Sequence, residues 1–170
     1  MELTLHAPAK VNLTLIVGAR RDDGYHDVST VMQTVGLYDT LTLTGGSGLT
    51  MTCTDPDLPT DGSNLVLRAA ALFCQELHLP VPGLHLHLQK RIPSQAGLGG
   101  GSSDAAAVLR AMRTLYAPEV SDAELERMAA ALGSDVPFFI RGGTALATGR
   151  GERLTPLPRL ADGWFVVVKP

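Results

Sequence analysis

Leu84, Leu86 and Leu88 alternate with His85, His87 and Gln89, a period of two that predicts a half-buried strand. Farther on, Ala105, Val108, Leu109, Met112, Leu115 and Tyr116 recur at helical spacing, with Ser103 or Asp104 available as a cap. Near the start, Leu3 and Leu5, then Val11, Leu13, Leu15 and Val17, alternate with Thr4, Asn12, Thr14 and Ile16. This predicts two short strands broken near Ala7-Pro8-Ala9. A charged loop, Arg20-Arg21-Asp22-Asp23-Gly24-Tyr25-His26, precedes a further strand over 28–37. The Thr-rich runs 37–44 and 49–54, separated by Gly45-Gly46-Ser47-Gly48, predict a hairpin. Leu65, Ala69, Leu72, Phe73 and Leu77 predict a helix capped by Ser63 or Asn64 and closed before Pro80. Ser121-Asp122-Ala123-Glu124 fits a capping box for a helix buried through Leu125, Met128, Ala129 and Leu132 and stopped by Gly133. Trp164 to Val168 predicts a buried strand.

The strand ending near Gln89 and the helix beginning near Ala105 are joined by Pro93-Ser94-Gln95-Ala96-Gly97-Leu98-Gly99-Gly100-Gly101-Ser102-Ser103, with four glycines in five positions. Glycine admits positive φ, lets successive N–H groups converge on an anion, and leaves a helix N-terminus pointing at it. The pattern departs from two common phosphate loops. A Walker A loop needs Gly-Lys-Ser/Thr where Gly101-Ser102-Ser103 stands, and a G-x-G-x-x-G run begun at Gly97 meets Ser102 at its last position. A plain turn remains the alternative.

At 170 residues the chain fits one domain, long enough to remove roughly 70% of its unfolded surface from water. Hydrophobic content of 45% and charged content of 18% are ordinary for a globular protein, and no apolar run reaches the ~20 residues of a membrane span. A net charge of −3 argues against a nucleic-acid partner. Cys53 and Cys74 fit no metal spacing and are expected as reduced thiols of a cytoplasmic protein. Met1 to Pro8 lacks the basic and apolar regions of a secretory signal and is expected to begin the fold.

The Pro93 to Ala105 run resembles the central motif of the GHMP kinases, small-molecule kinases sharing a Pro-x-x-x-Gly-Leu-Gly-(Gly)-Gly/Ser-Ser-Ser-x-Ala loop. Its longer Gly-Leu-Gly-Gly-Gly-Ser-Ser-Asp form is similar to the branch whose acceptor is 4-diphosphocytidyl-2-C-methyl-D-erythritol, in non-mevalonate isoprenoid precursor biosynthesis. Ala7-Pro8-Ala9-Lys10-Val11-Asn12-Leu13 resembles the family's opening motif, in which the lysine lies beside the reacting hydroxyl and the asparagine helps hold substrate. From spacing alone, Lys10 and Asn12 are also what the wet side of a strand presents. Asp23-Gly24-Tyr25-His26 resembles the diphosphocytidyl branch, where the pair here numbered Tyr25 and His26 meets cytosine; a surface loop is the plain reading. Asn64, Leu65 and Val66 match a segment near the adenine of ATP, although capping plus core explains the same residues. Gly133-Ser134-Asp135-Val136-Pro137-Phe138 resembles the catalytic-aspartate turn, against ordinary turn chemistry after a helix stop. Gly142-Gly143 and Gly149-Arg150-Gly151 resemble the paired glycine turns before the first domain's last strands.

The resemblance implies an α+β domain of the GHMP-kinase N-terminal type over 1–170, a mostly antiparallel sheet with helices packed on one face. It implies transfer of the γ-phosphoryl of ATP, with Mg²⁺ shielding the phosphates, Asp135 as general base, Lys10 beside it, and Pro93 to Ser103 holding ATP. Family members continue into a second domain that is expected to be missing here, which would leave the chain short of turnover and prone to self-association. Two rival readings stand beside it: a GHMP kinase acting on homoserine or mevalonate, and a nucleotide-binding module without turnover.

Overall fold

The computed structural model describes residues 2–20, 24, 26–158, 160 and 163–168. Its strands are β1 (Glu2–Arg20), β2 (His26–Gly45), β3 (Leu49–Cys53), β4 (Leu84–Gln89), β5 (Thr144–Gly149) and β6 (Arg153–Leu157). Its helices are α1 (Leu65–Glu76), α2 (Gly100–Tyr116), α3 (Asp122–Leu132) and α4 (Phe138–Arg141). All six strands form one sheet in which only the β3–β4 pairing is parallel.

The long strand β2 is the spine. β1 runs antiparallel along one of its sides, while the other side pairs with β5 over residues 28–33 and with β4 over residues 40–45. Between those two stretches β2 has room for a loop to come in against the sheet. Asp39, Leu41 and Leu43 of β2 and Leu84, Leu86 and Leu88 of β4 point into one core. That core is closed by Phe73 of α1, Leu109 and Met112 of α2, Leu125 and Met128 of α3 and Phe138 of α4. α2 lies at the centre of the helical layer, touching β1, β2 and the other three helices. None of the helices among the described residues is long and apolar enough to cross a membrane.

Three sequence expectations are corrected. The break at Pro8 does not end β1; the strand continues through shifts of register between Pro8 and Lys10 and between Asn12 and Thr14. β1 pairs only with β2, and an edge strand tolerates the N–H that proline lacks. The predicted 37–44 and 49–54 hairpin does not form either, because β4 inserts between β2 and β3, and β3–α1–β4 becomes a parallel crossover unit. Fully buried Leu84, Leu86 and Leu88 suit an interior strand, whereas β3 exposes Thr50 and Thr52 and suits an edge. The glycines expected to turn a hairpin instead pass over the start of β4. Gly46 N–H donates to the Gly83 carbonyl at 3.0 Å, and a methyl group on Gly83 would run into the Gly46 carbonyl oxygen.

The third correction is Trp164 to Val168, which forms no strand and leaves Trp164 fully exposed. An apolar run without a period names no partner, and 163–168 pairs with no strand among the described residues. Leu15, Ile16 and Val17, in the outer half of β1, are also exposed.

Candidate active site

The segment after β4 crosses the opening in β2's pairing and is held there by backbone and apolar contacts. Lys10 N–H donates to the Leu98 carbonyl at 2.9 Å, and Ala9, Ile92 and Leu98 bury against Val11, Val35, Leu37 and Ala96 as a second small core under the loop. Gln95, Gly97 and Gly99 all take positive φ, at 57°, 72° and 71°. Gly99 is the N-cap of α2 and uses no side chain to cap it. Ser103 and Asp104, read from sequence as candidate caps, lie inside the helix and are buried. The first turn of α2 therefore leaves its N–H groups to the cavity, the arrangement that attracts anions.

That cavity has a volume of about 530 Å³ and is lined by the loop from Pro93 to Ser102, by Leu58, Pro59, Asn64 and Leu65 at the start of α1, and by Lys10 and Asp135. Asn64 caps a helix and also lines the cavity. Its Oδ1 accepts from Val66 N–H at 2.9 Å as the cap of α1, its Nδ2 donates to the Pro59 carbonyl at 2.7 Å, and it faces the cavity. Val66 turns into the core, and Ser103 is buried with its Oγ unpartnered among the described residues.

Lys10 and Asp135 come together although they lie 125 positions apart in the chain, with Lys10 Nζ 3.4 Å from Asp135 Oδ2. Lys10 is nearly buried, and Asp135 is about a third exposed, open to a bound molecule. Lys10 Nζ also donates to Asn12 Oδ1 at 2.5 Å. Asn12 Nδ2 in turn donates to Thr30 Oγ1 at 2.6 Å, and Thr30 Oγ1 donates to the Thr14 carbonyl at 2.6 Å. This chain of bonds holds the ammonium in place from behind, so Asn12 acts on the cavity through Lys10 and does not line it. The turn carrying Asp135 is fixed by Val136 N–H donating to the Gly133 carbonyl at 3.2 Å and by the buried side chains of Phe138 and Phe139.

His26 pairs with Arg20 at the outer end of the β1–β2 hairpin and does not line the cavity. Tyr25 lies outside the described residues.

Sequence reasoning missed Asp39 and Lys90 and misread Asp104. Lys90 Nζ meets Asp39 Oδ2 at 2.5 Å and Asp104 Oδ2 at 2.9 Å, with all three side chains buried. The signal was present as phase. Asp39 falls in step with Leu41 and Leu43, and Asp104 falls one helical turn before Val108, so both carboxylates sit on core faces and call for a buried partner. Burial raises Asp104; Lys90 opposes the rise, Asp39 adds to it, and the carboxyl is pushed up to about 7. Burial lowers Lys90, but the Asp104 and Asp39 carboxylates outweigh it and hold the amine above its ordinary value.

The sequence profile of the GHMP kinases N terminal domain matches residues 64–143. A 4-diphosphocytidyl-2-C-methyl-D-erythritol kinase of Heliobacterium modesticaldum is 48% identical over 171 aligned residues, covering 99% of this chain and 54% of its own length. Over residues 64–143 the chain is similar to the GHMP kinases. A crystal structure of 4-(cytidine 5'-diphospho)-2C-methyl-D-erythritol kinase superposes with a TM-score of 0.76 at 46% identity, covering 91% of this chain and 55% of that one. A crystal structure of the Methanococcus jannaschii mevalonate kinase has the same fold, with a TM-score of 0.71 at 14% identity, covering 93% of this chain and 56% of that one. The chain thus spans about half the length of the relatives it matches.

Proposed function

We propose that this chain is the ATP-binding and catalytic part of a cytoplasmic kinase that moves the γ-phosphoryl group of ATP to a hydroxyl of 4-diphosphocytidyl-2-C-methyl-D-erythritol. The observation that carries the reading is the Lys10–Asp135 pair facing the glycine loop across one cavity. Its support is the 48% identity with a kinase named for that substrate. Likeness to the mevalonate kinase, at 14% identity, concerns the fold alone and does not favour that acceptor.

Phosphoryl transfer asks for position and electrostatics more than for covalent chemistry. In this reading, N–H groups of the loop and of the first turn of α2 hold the phosphates of ATP. Asp135, exposed enough to reach a bound hydroxyl, takes its proton as the oxygen attacks. Lys10 stands beside that carboxylate and offsets negative charge on the moving group. The adenine end lies toward Asn64 and Leu65, and Tyr25 and His26 are the proposed cytosine contacts.

Among the described residues no three His, Cys, Asp or Glu side chains gather as a metal cage. Mg²⁺ needs none, since it binds largely through water and substrate phosphates with one or two protein oxygens. The partly exposed Asp135 carboxylate is such a group on the cavity wall. When bound, Mg²⁺ would shield phosphate charge.

The test is ATP-dependent phosphorylation by the whole protein, comparing the diphosphocytidyl polyol with homoserine and mevalonate and the parent with Asp135→Asn. The polyol should be preferred. The substitution should lower turnover by about 10² to 10⁴, the usual worth of a general base, with ATP affinity little changed. Turnover at the parent rate in Asp135→Asn would remove the base assignment, and preference for another acceptor would remove the substrate.

A further inference from the structure

Three buried charges from three parts of the fold meet beneath the glycine loop, and the phosphoryl-transfer reading uses none of them. Asp39 lies in the stretch of β2 between its β5-paired and β4-paired segments, Lys90 directly follows β4, and Asp104 lies in the second turn of α2. Asp39 Oδ1 accepts from the backbone N–H groups of Arg91 and Ile92, at 2.5 and 2.9 Å, where the loop begins. Its Oδ2 takes Lys90 Nζ, which also donates to Asp104 just past the loop's end. Both ends of the 93–103 segment are thereby tied to one ammonium and one strand. The packing leaves little slack, since a Cβ on Gly100 would stand 3.2 Å from Lys90 Nζ.

A buried ion triad is poor evidence for stability, because apolar residues of the same volume often serve as well. Its place in this fold gives it another use. Lys90 and Asp104 both line the cavity, and the buried Oδ1 of Asp104 has no hydrogen-bond partner among the described residues. We infer that Asp39, Lys90 and Asp104 are positioning residues, an ionic clasp that closes the base of the glycine loop and sets its affinity for nucleotide phosphates. The inference rests on the nucleotide-binding reading above.

A charge count follows from the geometry. With both carboxylates ionised the clasp carries one excess negative charge at the cavity wall, and with Asp104 protonated it is neutral. The groups facing Asp104 are Lys90 and Asp39, with the Cys53 thiol of β3 near enough to feel its charge and the Lys10–Asp135 pair on the same cavity wall. Desolvation is the main cause that holds Asp104 protonated up to about 7, and an unpartnered buried oxygen agrees with it. Phosphate binding should therefore weaken as pH rises through that value. Stability moves with it. The folded carboxyl titrates above its unfolded value of 3.8, so the contribution is fully present below 3.8 and is lost as pH rises through about 7.

The experiment is calorimetric titration of ATP into the parent, Asp104→Asn and Asp104→Leu on both sides of about pH 7, with thermal unfolding followed over the same range. Ionisation of ATP itself is common to all three proteins and cancels in the comparison. Asp104→Asn keeps a hydrogen bond to Lys90 and cannot ionise. It should bind ATP above pH 7 more tightly than the parent by several-fold, on the order of tenfold, and should lack the parent's pH step. Asp104→Leu, which drops the tie to Lys90, should bind more weakly than Asp104→Asn at every pH. A merely structural role would change melting alone, so affinities of parent and Asp104→Asn that fall in parallel with pH would overturn the clasp while leaving the nucleotide reading standing. If the parent binds no ATP on either side of pH 7, the nucleotide reading fails first and the clasp fails with it. Should Asp104→Leu not fold, the comparison of parent with Asp104→Asn decides alone.

Discussion

Gly99 answers two demands that no other residue type meets together. Its φ of 71° lies in the left-handed region, and a Cβ there would stand 2.7 Å from the ring of Phe139 and 3.1 Å from Cγ of Lys10. The glycine lets the loop, the Lys10 strand and the Asp135 turn converge, so Gly99→Val should disturb all three. ATP affinity is expected to fall by tenfold or more, roughly the effect of losing one well-placed contact. Calorimetry on a variant shown by circular dichroism to be folded checks this, and undiminished affinity would refute the phosphate-cradle role. At this scale the sequence was legible where a residue type has few uses. The glycine run could be read as a loop turning through positive φ, and motif resemblance singled out Lys10 and Asp135, which meet at one cavity. Asp39 and Lys90 could not be singled out in this way, because a charge within or after a strand ordinarily faces water, and only the phase of Asp39 with Leu41 and Leu43 hinted otherwise.

Elements were legible where their ends carry chemistry. Asn64 caps α1 as one of its two candidates, and Ser121 with Glu124 closes both halves of the capping box of α3. Glu124 N–H donates to Ser121 Oγ at 3.3 Å while Ser121 N–H donates to Glu124 Oε2 at 2.9 Å. The box is exposed and remote from the cavity, so Ser121→Ala should cost about 1 kcal/mol of stability, a fall of roughly 2–4 °C in Tm for a chain of this size. ATP binding should be unmoved, and thermal unfolding with and without nucleotide separates the two effects. Partner choice among strands was not legible. The 37–44 and 49–54 runs both alternate and are joined by glycines, which is what a hairpin requires locally. The crossover forms because an intervening segment, Leu84 to Leu88, has more apolar surface to bury and takes the interior position. No window that stops before residue 84 contains that competition. The same limit accounts for Trp164 to Val168, whose apolar content predicts burial and says nothing about where.

At the scale of the whole molecule, one half of the proposed chemistry is built on a single frame and the other half is not assembled around it. The loop, α2, Lys10 and Asp135 share β1, β2 and the helical core, and they line one cavity. His26 stands apart at the hairpin's outer end, and these residues cover only 54% of the length of a kinase that is 48% identical. We propose that the remaining length supplies the rest of the acceptor site. On that proposal ATP should bind to the 170-residue chain, while phosphorylation of the polyol should be near background, because without the remaining acceptor contacts the hydroxyl would not be fixed in line with the γ-phosphate. The exposed apolar side chains from Leu15 to Val17 and from Trp164 to Val168 favour association, so light scattering must accompany the assay to compare equal concentrations of the same species. The measurement sets ATP affinity and product formation for this chain beside a form extended to the length of its relatives. Affinity within a few-fold in both, with turnover only in the longer, is the expected result; equal turnover would place the whole acceptor site inside these residues.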